Sequence, residues 1–142
     1  MASAGPSGGL FRTDGGVKTS SGLDVSDPEI QAAWSRVRSG VETWALLEYA
    51  GKSKLKLRAS GSGGSEELLA AFSDEDVVFG GIRTPAGKFM CLMCTGDSVG
   101  AMAKGRAATH KNAAFNALEG TVGEVCGLSK DEFSQQLKEF NF

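Results

Sequence analysis

Phe89-Met90-Cys91-Leu92-Met93-Cys94 is a run of six apolar side chains with no polar interruption. A strand with one wet face alternates apolar and polar residues, so an unbroken run of strand length is covered on both faces. Any fold containing it must place cover on two sides of a sheet. The run is far short of the roughly 20 residues that cross a bilayer. Lys88 precedes it, and Thr84-Pro85-Ala86-Gly87 reads as a hairpin turn back to Val77-Val78-Phe79-Gly80-Gly81-Ile82-Arg83. The chain has 142 residues, a length that fits one domain.

The required cover is legible as amphipathic helices. Ser26-Asp27-Pro28-Glu29 has the spacing of a capping box with Val25 and Ile30 as a staple, and Asp27 with Pro28 at the first helical position is an equally good cap. Ile30, Ala33, Trp34 and Val37 then form one stripe, and Ser39-Gly40 ends it. Thr43 to Tyr49 reads as a strand, with a turn at Ala50-Gly51. Lys54 to Ala59 alternates, so Leu55 and Leu57 are expected inward and Lys54, Lys56 and Arg58 outward. Ser65 is an N-cap candidate, with Leu68, Leu69 and Phe72 on the buried side of its helix. Asp97 is expected to cap a long helix running to about Glu119 and stopped by Gly120. Thr121 to Cys126 allows a short strand. Ser129 with Glu132 forms a second capping box, Leu128 and Phe133 a staple, and Phe133, Leu137 and Phe140 a stripe. The order α-β-β-α-β-β-α-(β)-α predicts an α/β (α+β) domain, a central mixed sheet with helices on both faces.

Composition divides the chain. Of 20 glycines, six lie in residues 1–26 beside five serines, so 1–26 is expected to be a disordered Gly/Ser-rich tail and 27–142 the domain. The formal net charge of -2 argues against nucleic-acid binding by bulk charge. Met1 to Gly9 lacks a basic start and apolar middle, and an odd count of three cysteines suits reduced thiols in a cytoplasmic protein. A membrane protein, a disulfide scaffold and a multidomain enzyme are excluded on these grounds.

Candidate chemistry is sparse. His110 has no carboxylate three or four residues away on its helix, so it reads as a surface histidine. Cys91 and Cys94 share a metal-like spacing, but residues three apart on a strand point to opposite faces, which favours buried structural thiols. Gly51-Lys52-Ser53 lacks the earlier glycine of a phosphate loop, and Gly61 to Gly64 reads as a flexible connection. No enzyme, cofactor or metal is expected. The basic residues say more: positions 52–111 hold nine against six acids, a local excess of three. Lys104 and Lys111, seven apart, share a helical face, while Arg106 points elsewhere. As a set they suit docking on an acidic protein surface.

Four segments together resemble an actin-depolymerising-factor homology domain, with coactosin-type members most similar, over about residues 27–140. They are Ile30-Gln31-Ala32-Ala33-Trp34-Ser35-Arg36-Val37-Arg38, with Trp34 in place of the family's tyrosine; Thr43 to Tyr49; Phe79 to Arg83 followed by Gly87 to Gly96; and Gly96 to Lys111. The resemblance implies actin filaments as partner, monomeric actin as a further one, no catalysis, and a cytoplasmic, cytoskeletal location. It places Lys88 beside the hairpin turn, and Lys104, Arg106 and Lys111 on the long actin-facing helix. A cofilin-like activity, binding monomers and severing filaments, is the alternative it allows. Two departures stand out. Cys94 replaces a tryptophan, and Gly100 and Gly105 are expected inside the long helix, each costing about 1 kcal/mol relative to alanine.

Overall fold

The computed structural model describes residues 22–142. The elements are α1 (Pro28–Ser39), β1 (Trp44–Tyr49), β2 (Leu55–Gly61), α2 (Ser65–Ala70), β3 (Val77–Arg83), β4 (Phe89–Thr95), α3 (Ala101–Asn116), β5 (Glu124–Gly127) and α4 (Lys130–Glu139). They form one five-stranded sheet in the order β2-β1-β3-β4-β5. The three pairings from β2 to β4 are antiparallel, and β5 joins β4 in parallel. That switch follows from connectivity: α3 carries the chain back along the sheet, and a crossover of this kind returns a strand in the same direction. The expected mixed sheet between helices is therefore the observed fold.

The unbroken run of β4 faces two separate cores. Cys91 and Met93 belong to a cluster with Ile30, Trp34 and Val37 of α1 and Ala107 and Ala114 of α3. Met90, Leu92 and Cys94 belong to a second cluster with Leu68 of α2 and Phe133 and Leu137 of α4. The two cysteines thus point to opposite faces. Burial pushes their thiols up, Cys91 to about 11 and Cys94 to about 12, and Cys91, Cys94 and Cys126 are free cysteines. Gly81 in β3 makes room for α1: a Cβ there would lie 2.5 Å from the Trp34 indole.

Several boundaries differ from the sequence reading. Leu23 and Val25 are buried in the first core, and Asp24 bridges to Lys54 beside β2, so residues 22–26 of the expected tail pack with the domain. Residues 1–21 of that tail lie outside the described residues. Of the two caps the sequence allowed for α1, Asp27 is the one used, accepting from the Glu29 N–H at 3.0 Å, while Ser26 donates to Asp24. Gly64 replaces Ser65 as the cap of α2, which has no side-chain cap. Arg58 does not extend freely from β2. It bonds Glu48 at 2.8 Å, Asp76 at 3.1 Å and the Ala71 carbonyl at 2.8 Å. Ser129 caps α4 as expected, accepting from the Glu132 N–H, but the Glu132 carboxylate accepts from Leu128 N–H at 2.6 Å. Leu128 is 59% exposed, so the expected staple to Phe133 is open.

Candidate functional site

The long helix α3 starts at Ala101 with Gly100 as its N-cap, three residues after the expected Asp97 cap, and ends at Asn116. Gly100 therefore lies at the helix boundary, where an extended glycine is tolerated. Gly105 does lie inside, and a Cβ there would meet nothing within 4 Å. Its absence of side chain serves no packing contact. Asp74 anchors the approach to α3: its Oδ1 accepts from Asp97 N–H at 3.1 Å and Lys130 N–H at 2.9 Å. Those two bonds hold its carboxyl below the usual range. The same aspartate thus ties the α2–β3 loop to the entries of α3 and α4.

Ala107, His110, Ala113, Ala114 and Phe115 form the buried side of α3. Ala101, Met102, Gly105, Ala108, Thr109, Asn112 and Asn116 are exposed, giving an uncharged outer ridge on which Met102 is 85% accessible. Lys104 and Lys111 sit half-buried on one flank of the buried stripe, and exposed Arg106 sits on the other. Lys104 and Arg106 form no ion pair among the described residues. Lys111 does. Its Nζ lies 3.1 Å from Glu124 Oε1 and 5.9 Å from the centre of the Phe115 ring, and the bond to Glu124 raises its pKa.

Lys88 is exposed at the base of the β3–β4 hairpin turn, its backbone N–H donating to Thr84 Oγ1 at 3.1 Å. The structure does not gather the four expected residues into one patch. Cys91, near the start of β4, lies under the Phe115 carbonyl, so the C-terminal end of α3 is the end toward the hairpin. Lys104 and Arg106 lie toward the opposite end of the sheet, and Lys111 lies between.

His110 is not on the surface. It is 6% exposed, and its Nδ1 lies 2.7 Å from the Tyr49 hydroxyl on β1. Burial, then the charge of Arg106, lowers its pKa, and burial pushes Tyr49 up to about 12. The signal was available: Ala107, His110 and Ala114 stand at i, i+3 and i+7, which is a buried stripe. Among the described residues no group of His, Cys, Asp and Glu is arranged to hold a metal ion, and no helix is long and apolar enough to cross a membrane.

This chain is similar to several known actin-binding proteins and their solved structures. Coactosin of Dictyostelium discoideum is 29% identical over 123 residues, spanning 80% of this chain and 84% of that protein. The solution structure of mouse coactosin, described as an actin filament binding protein, superposes with a TM-score of 0.61 at 18% identity, covering 84% of this chain and 93% of that one. A cofilin from Streptomyces griseoflavus superposes with a TM-score of 0.71 at 13% identity, covering 84% and 98%. At such identities the two structures establish the fold and nothing finer. A family model described as cofilin/tropomyosin-type actin-binding protein matches residues 22–139, nearly the whole described chain. This chain belongs to the family of cofilin/tropomyosin-type actin-binding proteins.

Proposed function

We propose that this protein binds along actin filaments in the manner of coactosin, without catalysis, in the cytoplasm and its cytoskeleton. The observation that carries the reading is the placement of Lys88, Lys104 and Arg106, which form no ion pair among the described residues, along the surface. Lys88 stands on the hairpin at one end, and Lys104 and Arg106 flank the uncharged ridge of α3 toward the other. Cations so separated suit a long, repeating, acidic partner better than a compact ligand. The description of mouse coactosin as a filament-binding protein and the sequence similarity to Dictyostelium coactosin support the same choice. Lys111 belongs to the same helix, but Glu124 already shares its charge, so it contributes least.

Co-sedimentation with filaments, run beside a fluorescence assay of filament disassembly, tests the reading. Pelleting with filaments and an unchanged disassembly rate is the expected result. Accelerated disassembly would assign the cofilin-like activity instead, and absence from the pellet at low salt would remove filament binding altogether.

A further inference from the structure

The start of α3 is joined to the edge strand β2 by a chain of bonds that begins at Arg58. Between β1 and β2, Leu46 pairs with Ala59 and Leu47 with Leu57, so Arg58 is an extra residue with no partner across the ladder. A bulge of this kind re-aims a side chain out of the regular alternation. The Arg58 guanidinium reaches three segments: the Glu48 carboxylate on β1 at 2.8 Å, the Ala71 carbonyl after α2 at 2.8 Å, and the Asp76 carboxylate at 3.1 Å. Asp76 Oδ2 also accepts from the Ser73 N–H at 2.8 Å and the Ser73 hydroxyl at 3.1 Å, which closes the α2–β3 loop on itself. That loop grips the approach to α3. The Gly96 N–H donates to the Asp76 carbonyl at 3.0 Å, the Ser98 N–H to the Asp74 carbonyl at 2.9 Å, and the Asp97 N–H to Asp74 Oδ1. Gly96 has no room for a side chain, because a Cβ there would run into the Asp74 carbonyl. Gly100 caps α3 without a side-chain hydrogen bond, so the loop supplies fixed contacts that the cap does not.

We infer that Arg58 is a positioning residue for filament binding: through Asp76 and the α2–β3 loop it sets where α3 begins, and hence where Lys104 and Arg106 stand, without itself touching the filament. This inference rests on the filament-binding reading above. A guanidinium suits the role because its planar fork holds several acceptors in fixed directions, which a lysine ammonium on a flexible stem does not.

The test is a mutant cycle in filament co-sedimentation of the full chain, with thermal melting and amide exchange of each protein. Arg58→Gln is placed in the wild type, in Lys88→Ala, and in Lys104→Ala combined with Arg106→Ala. Arg58→Lys, which keeps the charge but not the fork, is carried through the same cycle and serves where the glutamine variant does not fold. The expected result is about fivefold weaker binding from the Arg58 change in the wild type and in Lys88→Ala, but less than about twofold where both α3 cations are gone. Amide exchange at Gly96, Asp97 and Ser98 rises with it. An equal loss in all three backgrounds overturns the inference, because general destabilisation does not distinguish the cations of one end from the other. Wild-type affinity in both Arg58 variants, or unchanged exchange at those three amides, overturns it as well. If the wild type itself does not pellet, the filament reading falls and the inference with it, whereas a wild type that pellets without this selectivity sinks the inference alone.

Discussion

The Tyr49 hydroxyl lies 2.7 Å from Nδ1 of His110, joining β1 of the sheet to the buried side of α3. The Tyr49 ring also packs edge-on to Phe79 at 5.8 Å, so the pair is continuous with the core beneath the long helix. Burial pushes the Tyr49 hydroxyl up to about 12, and burial with the nearby Arg106 charge lowers the His110 pKa, so both groups of the pair favour their neutral forms.

Acid should therefore weaken this contact. His110 has a folded pKa below its ordinary value, so the stability it contributes is fully present above about pH 6.5 and is lost as pH falls through the lower folded value. It is the single histidine of the chain. Melting temperature should fall between pH 7 and pH 5, and His110→Gln should flatten that slope. An equally steep fall in the variant would assign it to other groups.

Gly105→Ala should stabilise the protein. The site is helical with open space where the Cβ would go, so the gain is the propensity difference of about 1 kcal/mol. Chemical denaturation measures it directly. If filament binding depends on a pliant α3, the same variant should bind more weakly despite being more stable.

Asp74→Ala should destabilise the protein more than Asp74→Asn. Both remove the charge, but asparagine keeps an oxygen that accepts from Asp97 and Lys130. Lys130 also donates from Nζ to the Phe72 carbonyl at 2.9 Å and lies 5.2 Å from the Phe72 ring centre. Hydrogen exchange should rise at the starts of α3 and α4 in the alanine variant. Protection unchanged in both places would contradict a shared anchor.

Lys111→Ala should leave filament affinity within about twofold of the wild type, whereas Lys104→Ala or Arg106→Ala should each weaken it by about two- to fivefold. The difference comes from Glu124, which neutralises Lys111 but neither of the others. Titration of filaments at fixed low salt separates these values.

The features that were legible in the sequence are local or periodic. The two-residue period of a strand placed Cys91 and Cys94 on opposite faces, and the Ser129 cap needed only three residues of context. A mixed sheet and a short strand after the long helix were expected, and the structure adds that this strand, β5, joins β4 in parallel. What escaped were pairings between distant segments. Arg58 meets Asp76 across the sheet end, and Lys111 meets Glu124 across a loop, so both look like free surface cations in a linear reading. His110 looks like a surface residue in a linear reading because no charge partner lies on its own helix and its hydrogen-bond partner is the distant tyrosine of β1. Arg83 looks ordinary in sequence, since only the fold reveals that its Nε is sealed from solvent without a partner among the described residues.

The central claim is that Lys88 at the hairpin and the cations of α3 toward the other end of the sheet, none in an ion pair among the described residues, hold the protein on the filament. Its most direct measurement is the filament affinity of Lys88→Ala combined with Lys104→Ala, beside the wild type, at low and raised salt. The account predicts that the wild type pellets at low salt and loses affinity as salt rises, and that the double variant binds at least about tenfold more weakly with a shallower salt dependence. Equal binding and equal salt dependence in the two proteins would contradict it.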